Sequence, residues 1–163
     1  MRRSEYIDIR TAIESDLDAI CILSDQTNAF HHDNSPNVFS LPANSDRDRI
    51  FWIEILEDES SVFFVIEDVD KVQGFITAKI IENTVIPFLV RKRVCRIGTI
   101  VVADTCQRKG MGKALMQKIE QWAQAEKVDD IRLEVMEFNK NAQKFYELLG
   151  FRVHSQNLSK TIV

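Results

Sequence analysis

The residues best suited to chemistry lie in one stretch, VVADTCQRKGMGKA, from Val101 to Ala114. A strand is expected to end near Val102. A short loop follows, and Gly110-Met111-Gly112 opens a helix. The first turn of a helix carries unpaired N–H groups and the positive end of the macrodipole. Glycines at that point let the backbone approach an anion with no Cβ in the way. Arg108, Lys109 and Lys113 add positive charge around it. These are the ingredients of a pyrophosphate cradle. Two other phosphate loops do not fit. G-x-x-x-x-G-K-S/T needs a glycine where Gln107 stands and a hydroxyl where Ala114 stands. G-x-G-x-x-G fails at Leu115, and residues 103–109 separate the strand from Gly110, where a dinucleotide turn is tight. What remains is Gln/Arg-x-x-Gly-x-Gly/Ala, written here as Gln107-Arg108-Lys109-Gly110-Met111-Gly112.

The elements that must position this loop alternate along the chain. Tyr6–Arg10 reads as a short strand. Ser15 or Asp16 can cap a helix bearing Leu17, Ile20, Cys21 and Ser24 at helical spacing. From Asn28 to Asp46 the regular pattern stops, and Pro36, Pro42 and many Asn, Ser and Asp residues favour turns. Loops of that length inside a domain are commonly functional. Ser45 can cap a second helix with Ile50, Ile53 and Leu56 inward. Val62–Glu67 and Val72–Ile81 flank a DVDK turn as a hairpin, and Val94–Val102 is a third long strand. Lys113–Glu126 carries Leu115, Ile119, Trp122 and Ala123 on one helical face. Ile131–Met136 is a strand, and Asn139–Leu149 is a helix closed by Gly150 in a left-handed C-cap. Phe151–Ser155 and Leu158–Ile162 read as a closing hairpin. The strand, helix and strand from residue 94 to 136 form a parallel crossover, and the hairpins around it make the sheet mixed.

Composition fits one domain over residues 1–163, able to bury roughly 70% of its unfolded surface without a staple. Apolar residues are 45% and charged residues 28%, which argues against disorder. A net charge of −4 removes the usual electrostatic basis for binding nucleic acid or anionic membrane. No apolar run reaches the roughly 18 residues of a membrane span, and MRRSEYIDIR is no signal peptide. A soluble cytoplasmic protein is expected. Three scattered cysteines (Cys21, Cys95, Cys106) and three histidines make neither a disulfide framework nor a metal site.

The block LEVMEFNKNAQKFYELLGF (Leu133–Phe151) follows the glycine loop by one helix. With Asn139, Ala142, Phe145, Tyr146, Gly150 and Phe151 at matching spacing, it resembles the C-terminal motif of the GNAT N-acetyltransferase superfamily. The opening IDIRTAIESDLDAI is similar to that family's first strand and helix. The resemblance implies an α/β (α+β) fold with a mixed sheet of about seven strands, about four helices, and splayed fourth and fifth strands. It implies acetyl-CoA as co-substrate, no metal, and transfer of acetyl to a primary amine of a small molecule, a peptide N-terminus or a lysine by direct attack. The pantetheine arm would lie in the gap between the splayed strands and meet backbone groups of Ile100 and Val102. The backbone of Gln107, Arg108, Lys109, Gly110, Met111, Gly112 and Lys113 would hold the pyrophosphate. Asn139 matches a cofactor-contacting residue and is also a natural N-cap. Tyr146 matches the tyrosine that meets the cofactor sulfur, where collapse of the tetrahedral intermediate calls for a proton donor. Its position on an apolar helix face also suits plain packing. A homodimer follows by analogy with members that pair through a sheet edge or C-terminal strands.

The acceptor side is less uniform. Some members place a basic Glu fourteen residues before the first motif glycine, and here that position is Arg96. Glu82, Glu134, Glu137, His31 and His32 are the alternative bases. Phe30, His31, His32 and Asp33 would offer an aromatic surface, two groups that titrate near neutrality and an anion to an amine. Arg96, in the basic run RKRVCR, would hold an anionic group of the acceptor or sit in a solvated hairpin. A fold that binds acyl-CoA without turnover, as a sensor or subunit, is the alternative function that the missing Glu favours.

Overall fold

Residues 7–41 and 45–162 are described in a computed structural model. The chain divides into two compact units, residues 1–133 and 134–163. In the first unit, period-2 apolar runs build one sheet in the order β1-β2-β3-β4-β5. Its strands are β1 (Ile7–Thr11), β2 (Ser61–Asp68), β3 (Lys71–Glu82), β4 (Arg93–Val102) and β5 (Asp130–Arg132). Neighbours from β1 to β4 are antiparallel, and β4 pairs with β5 in parallel. The sheet is therefore mixed, as expected. It has five strands among the described residues, against the expected seven. Phe151–Ser155 and Leu158–Ile162 form no strands, and β5 stops at Arg132 instead of Met136.

The two faces of the sheet bury different helices. Phe63, Val65, Phe75 and Val101 pack with Leu17, Ile20 and Leu23 of α1 (Leu17–Asn34) and Trp52 of α2 (Ser45–Glu57). Leu17 and Ile20 are fully buried, and truncating either to Ala costs about 2–5 kcal/mol. Phe64, Ile66 and Ile76 alternate to the other face. There Lys118 of α3 (Met111–Ala125) lies 5.3 Å over the Phe64 ring, and Leu115, Met116 and Ile119 are buried. Of the three residues expected inward on α2, Ile53 and Leu56 pack against this core, and Ile50 is corrected. Ile50 is 57% exposed, whereas Trp52 is the buried anchor, its ring 5.1 Å from Phe75.

α1 also differs from expectation. It runs to Asn34, so Phe30, His31, His32 and Asp33 are helical and the connection to α2 is only residues 35–44. Neither Ser15 nor Asp16 caps it by a side-chain bond. Asp16 instead accepts from Ile13 N–H (2.8 Å) and takes a two-pronged ion pair from Arg10 (2.7 and 2.9 Å), which also reaches Glu67. The Arg10 hydrogen bonds hold the Asp16 carboxyl below the usual carboxylate range. Tyr6, Pro42 and residues 43–44 lie outside the described residues, and Ser45, expected to cap the second helix, is the first residue of α2.

The second unit holds α4 (Lys140–Leu148). Asn139 is its N-cap as expected, its Oδ1 accepting from Ala142 N–H at 3.2 Å. Gly150 closes it at φ 89°, the left-handed C-cap read from the sequence.

Candidate active site

β4 is shaped for an unusual edge. Its register against β3 slips at Gly98, the unmatched residue between Ile97 and Thr99. Thr77 Oγ1 fills the gap by accepting from Thr99 N–H (3.1 Å), and a Cβ on Gly98 would sit 3.0 Å from that oxygen. On its other side β4 pairs with β5 only through Val94, Cys95 and Arg96. Beyond Arg96 no strand pairs there among the described residues. Ala103 N–H donates to Gln73 C=O of β3 (2.7 Å). By strand alternation the backbone groups of Ile100 and the N–H of Val102 therefore face the edge without a strand, the side an amide-bearing arm can join, while the Val102 C=O accepts from Gln26 Nε2 (3.3 Å).

From Val102 the chain turns through a 3-10 segment, Asp104–Cys106, into the glycine loop. Buried Cys106 anchors the turn by donating to Gln73 Oε1 (3.4 Å), and Gln107 Nε2 donates to Asp104 Oδ1 (2.8 Å). Arg108 (φ 64°) and Gly110 (φ 83°) are both left-handed, and Gly110 is the N-cap of α3. Nothing lies within 4 Å of a Cβ placed on Gly110, so its φ is the requirement there and not its space. The first intrahelical bond runs from Ala114 N–H to Gly110 C=O (3.0 Å). Met111, Gly112 and Lys113 N–H are thereby the unsatisfied first-turn donors. Met111 contributes only backbone, because its side chain is buried. Arg108, Lys109 and Lys113 are exposed and make no ion pair among the described residues. In a chain of net charge −4, these three cations make the start of α3 locally positive.

Across the sheet face, α1, α2 and β4 enclose a cleft of about 240 Å³. It is lined by Ser24, Thr27 and Asn28 of α1, Asp48, Phe51 and Trp52 of α2, and Thr99 and Val101 of β4. The sequence had not marked these α2 residues, because IFWIEIL is apolar on nearly every side and leaves the helix phase open. Asp48, Phe51 and Trp52 share the i, i+3, i+4 spacing that signals one face.

The four residues expected to meet the acceptor separate on the helix. His31 continues the cleft-facing stripe of Ser24, Thr27 and Asn28, whereas Phe30 and Asp33 fall on exposed faces. His31 Nδ1–H donates to Thr27 C=O (2.8 Å), and His32 Nδ1–H donates to Phe39 C=O (2.7 Å). Arg96 is exposed on β4, in register with Lys79 and Arg132. Glu82 is paired with Arg91 (3.0 Å) and Glu137 with Lys140, while Glu134 is exposed.

In the second unit, the Tyr146 ring lies 5.3 Å from Phe145 and 5.9 Å from Phe151. Burial pushes its phenol up to about 12, so it stays protonated in the neutral range. Its hydroxyl makes no hydrogen bond among the described residues. Burial also raises the thiols of Cys95, to about 11, and of Cys21, which leaves neither as a ready nucleophile. Among the described residues no group of His, Cys, Asp and Glu is arranged to hold a metal. None of their helices is long and apolar enough to cross a membrane.

Comparison with known proteins follows the same lines. No curated protein matches the chain. Among solved structures, a point mutant of the BH1408 protein of Bacillus halodurans superposes with a TM-score of 0.87 at 23% identity, covering 96% of this chain and 99% of that one. The aminoglycoside N-acetyltransferase AAC(6')-Iy in complex with CoA gives 0.79 at 18%, covering 99% and 98%. A possible acetyltransferase from Clostridium difficile 630 gives 0.74 at 23%, covering 96% and 97%. At these identities the likeness is one of fold. The family model for acetyltransferases of the GNAT type matches residues 26–151, which hold all of the cleft lining but Ser24, the open edge of β4, the glycine loop and α4. The chain belongs to the GNAT acetyltransferase family.

Proposed function

We propose that the protein transfers the acetyl group of acetyl-CoA to an amine by direct attack in a ternary complex. The observation that carries this reading is the run from the open edge of β4 into the helix start at Gly110, ringed by three unpaired cations. Pantetheine amides add to the Ile100 and Val102 edge, and the pyrophosphate sits on the N–H groups of Gln107 to Lys113. The amine nitrogen attacks the thioester carbonyl, so a C–N bond forms and the C–S bond breaks. One amine proton goes to a base, a role assigned here to His31, one turn beyond the cleft-lining Thr27 and Asn28, and the sulfur leaves as thiolate.

Tyr146 and Asn139 are assigned here through the family motif. A phenol at about 12 gives up its proton uphill to a thiolate whose acid has an ordinary pKa of about 8.5. The role of Tyr146 is therefore the hydrogen bond to sulfur as negative charge develops, with solvent completing the thiol. Buried, protonated Cys95 supports direct attack over an acetyl-cysteine route.

Acetyl-CoA is expected to raise the melting temperature and to release CoA thiol with a suitable amine. Gly112→Asp, which sets a carboxylate against the pyrophosphate, abolishes both. Undiminished acetyl-CoA binding by that variant places the cradle elsewhere. Arg96 in the position of the family's Glu favours a second reading, acyl-CoA binding without turnover. Tight acetyl-CoA binding with no thiol release across a broad amine panel selects it.

A further inference from the structure

The cleft between α1, α2 and β4 holds a carboxylate that the protein itself leaves unanswered. Asp48 is the only charged residue among its lining residues, and it is half-buried. Its carboxylate makes no hydrogen bond or ion pair among the described residues. By contrast Asp16, Asp18, Asp58 and Asp130 are all paired. On the same helical face, Trp52 Nε1–H has no protein partner, but it is sealed from solvent and so does not open into the cleft. A half-buried carboxylate with no protein partner is costly unless a cation or water answers it.

The floor and mouth of the cleft differ. Trp52 is anchored in the sheet core against Phe75 and Phe63, beside Thr99 and Val101 of β4, the strand that the pantetheine arm would join. Asp48 lies one turn earlier on α2, about 6 Å along the axis. Phe51, 51% exposed, stands beside it. A carboxylate that held the reacting nitrogen would stabilise its ammonium form and oppose attack. Asp48 is therefore suited to a positive charge that does not react.

We propose that this cleft is the acceptor site, and that Asp48, with the Phe51 ring beside it, seats a second, non-reacting ammonium. The preferred acceptors are di- or polycationic amines whose charges stand several bonds apart. The inference rests on the acetyltransferase reading and goes beyond it in naming the acceptor class. Phe51 adds a ring face of the kind cations favour. A carboxylate in place of the second ammonium would meet Asp48 as a like charge.

The test compares 1,6-diaminohexane, hexylamine and 6-aminohexanoate as acceptors, with kcat/KM measured for each. Wild type is expected to prefer the diamine over hexylamine by about ten- to a hundredfold, the worth of one charge-assisted contact, and to use the amino acid least. Asp48→Asn should erase that preference by raising KM for the diamine far more than for hexylamine, with little change in the Kd of acetyl-CoA. Asp48→Glu should restore part of it. Turnover without charge preference, or a preference that survives Asp48→Asn, overturns the seat and leaves the acetyltransferase reading standing. If no amine is turned over, calorimetry with diaminohexane in the presence of CoA decides. Binding that weakens with salt and disappears in Asp48→Asn upholds the cleft, and no binding overturns it.

Discussion

Gln26 and Val102, 76 residues apart in sequence, are joined by a side-chain clamp at the end of β4. Gln26 Nε2 donates to Val102 C=O (3.3 Å), and Gln26 Oε1 accepts from Asp104 N–H (3.1 Å). One amide on α1 thus fixes both the last residue of β4 and the first turn toward the glycine loop. Its neighbours Thr27 and Asn28 line the cleft, so the clamp ties the cleft wall on α1 to the exit of β4.

Removing the clamp should act on the cofactor first. Gln26→Ala loses two hydrogen bonds of about 0.5–1.5 kcal/mol each. The expected result is an acetyl-CoA Kd weaker by about three- to thirtyfold, read by calorimetry, with a smaller change in kcat. Gln26→Glu keeps an acceptor for Asp104 N–H but sets a carboxylate against Val102 C=O, and it should bind no better than Gln26→Ala. Wild-type cofactor affinity in both variants would show that β4 holds its exit unaided.

Tyr146 offers two separable measurements. Tyr6 and Tyr146 are the only tyrosines, so a Tyr6→Phe variant reports Tyr146 alone by phenolate absorbance. The titration should centre near 12, well above the ordinary value of 10. Because the folded pKa is raised, the stability it contributes is complete below about pH 10 and is lost as pH rises through about 12. A midpoint near 10, with circular dichroism showing the fold intact, would refute the burial. Separately, Tyr146→Phe keeps the ring and should lower kcat by about ten- to a thousandfold with little change in acetyl-CoA affinity.

Asp16 should govern part of the acid stability. Its pKa is lowered in the folded state, chiefly by the Arg10 hydrogen bonds. Its contribution is complete above the unfolded carboxylate range and disappears as pH falls through the depressed folded value. Asp16→Asn breaks the pair with Arg10. The Arg10 side chain is 32% exposed, so the cost at pH 7 is about 2–3 kcal/mol, below that of a fully buried pair. Denaturant midpoints of the two proteins should differ at pH 7 and converge below about pH 4. A gap that persists at low pH would assign the effect to packing.

The sequence was most legible where one local rule decides the outcome. Asn139 caps α4 and Gly150 ends it because a side-chain acceptor and a left-handed φ act within one turn. Gly110 is legible for the same reason. Asn28–Asn34 reads as loop by composition, yet it is helix, prolonged by side chains that bond back one turn, such as His31 to Thr27 C=O and Asn34 to Phe30 C=O. The phase of α2 needed the sheet, since only docking against Phe75 and Phe63 selects Trp52 over Ile50. The cleft joins three elements distant in sequence, and no spacing along the chain announces it.

The helical placement of the histidines separates two groups that sequence alone treats as a pair. His31 stands one turn beyond the cleft-lining Thr27 and Asn28, its Nδ1–H donating to Thr27 C=O and its ring 4.7 Å from Phe39. His32 is turned aside and secured to Phe39 C=O, at the start of the connection to α2. If His31 takes the amine proton, His31→Ala should lower kcat/KM by about ten- to a thousandfold and remove the acidic limb of its pH profile, with acetyl-CoA affinity intact. His31→Gln, which restores a hydrogen-bonding side chain without a base, should not rescue the rate. His32→Ala should leave the pH profile in place and lower stability by about 1 kcal/mol through the lost bond. Matching profiles for wild type and His31→Ala across about pH 6–9 would exclude His31 and return the proton to a carboxylate or a water chain.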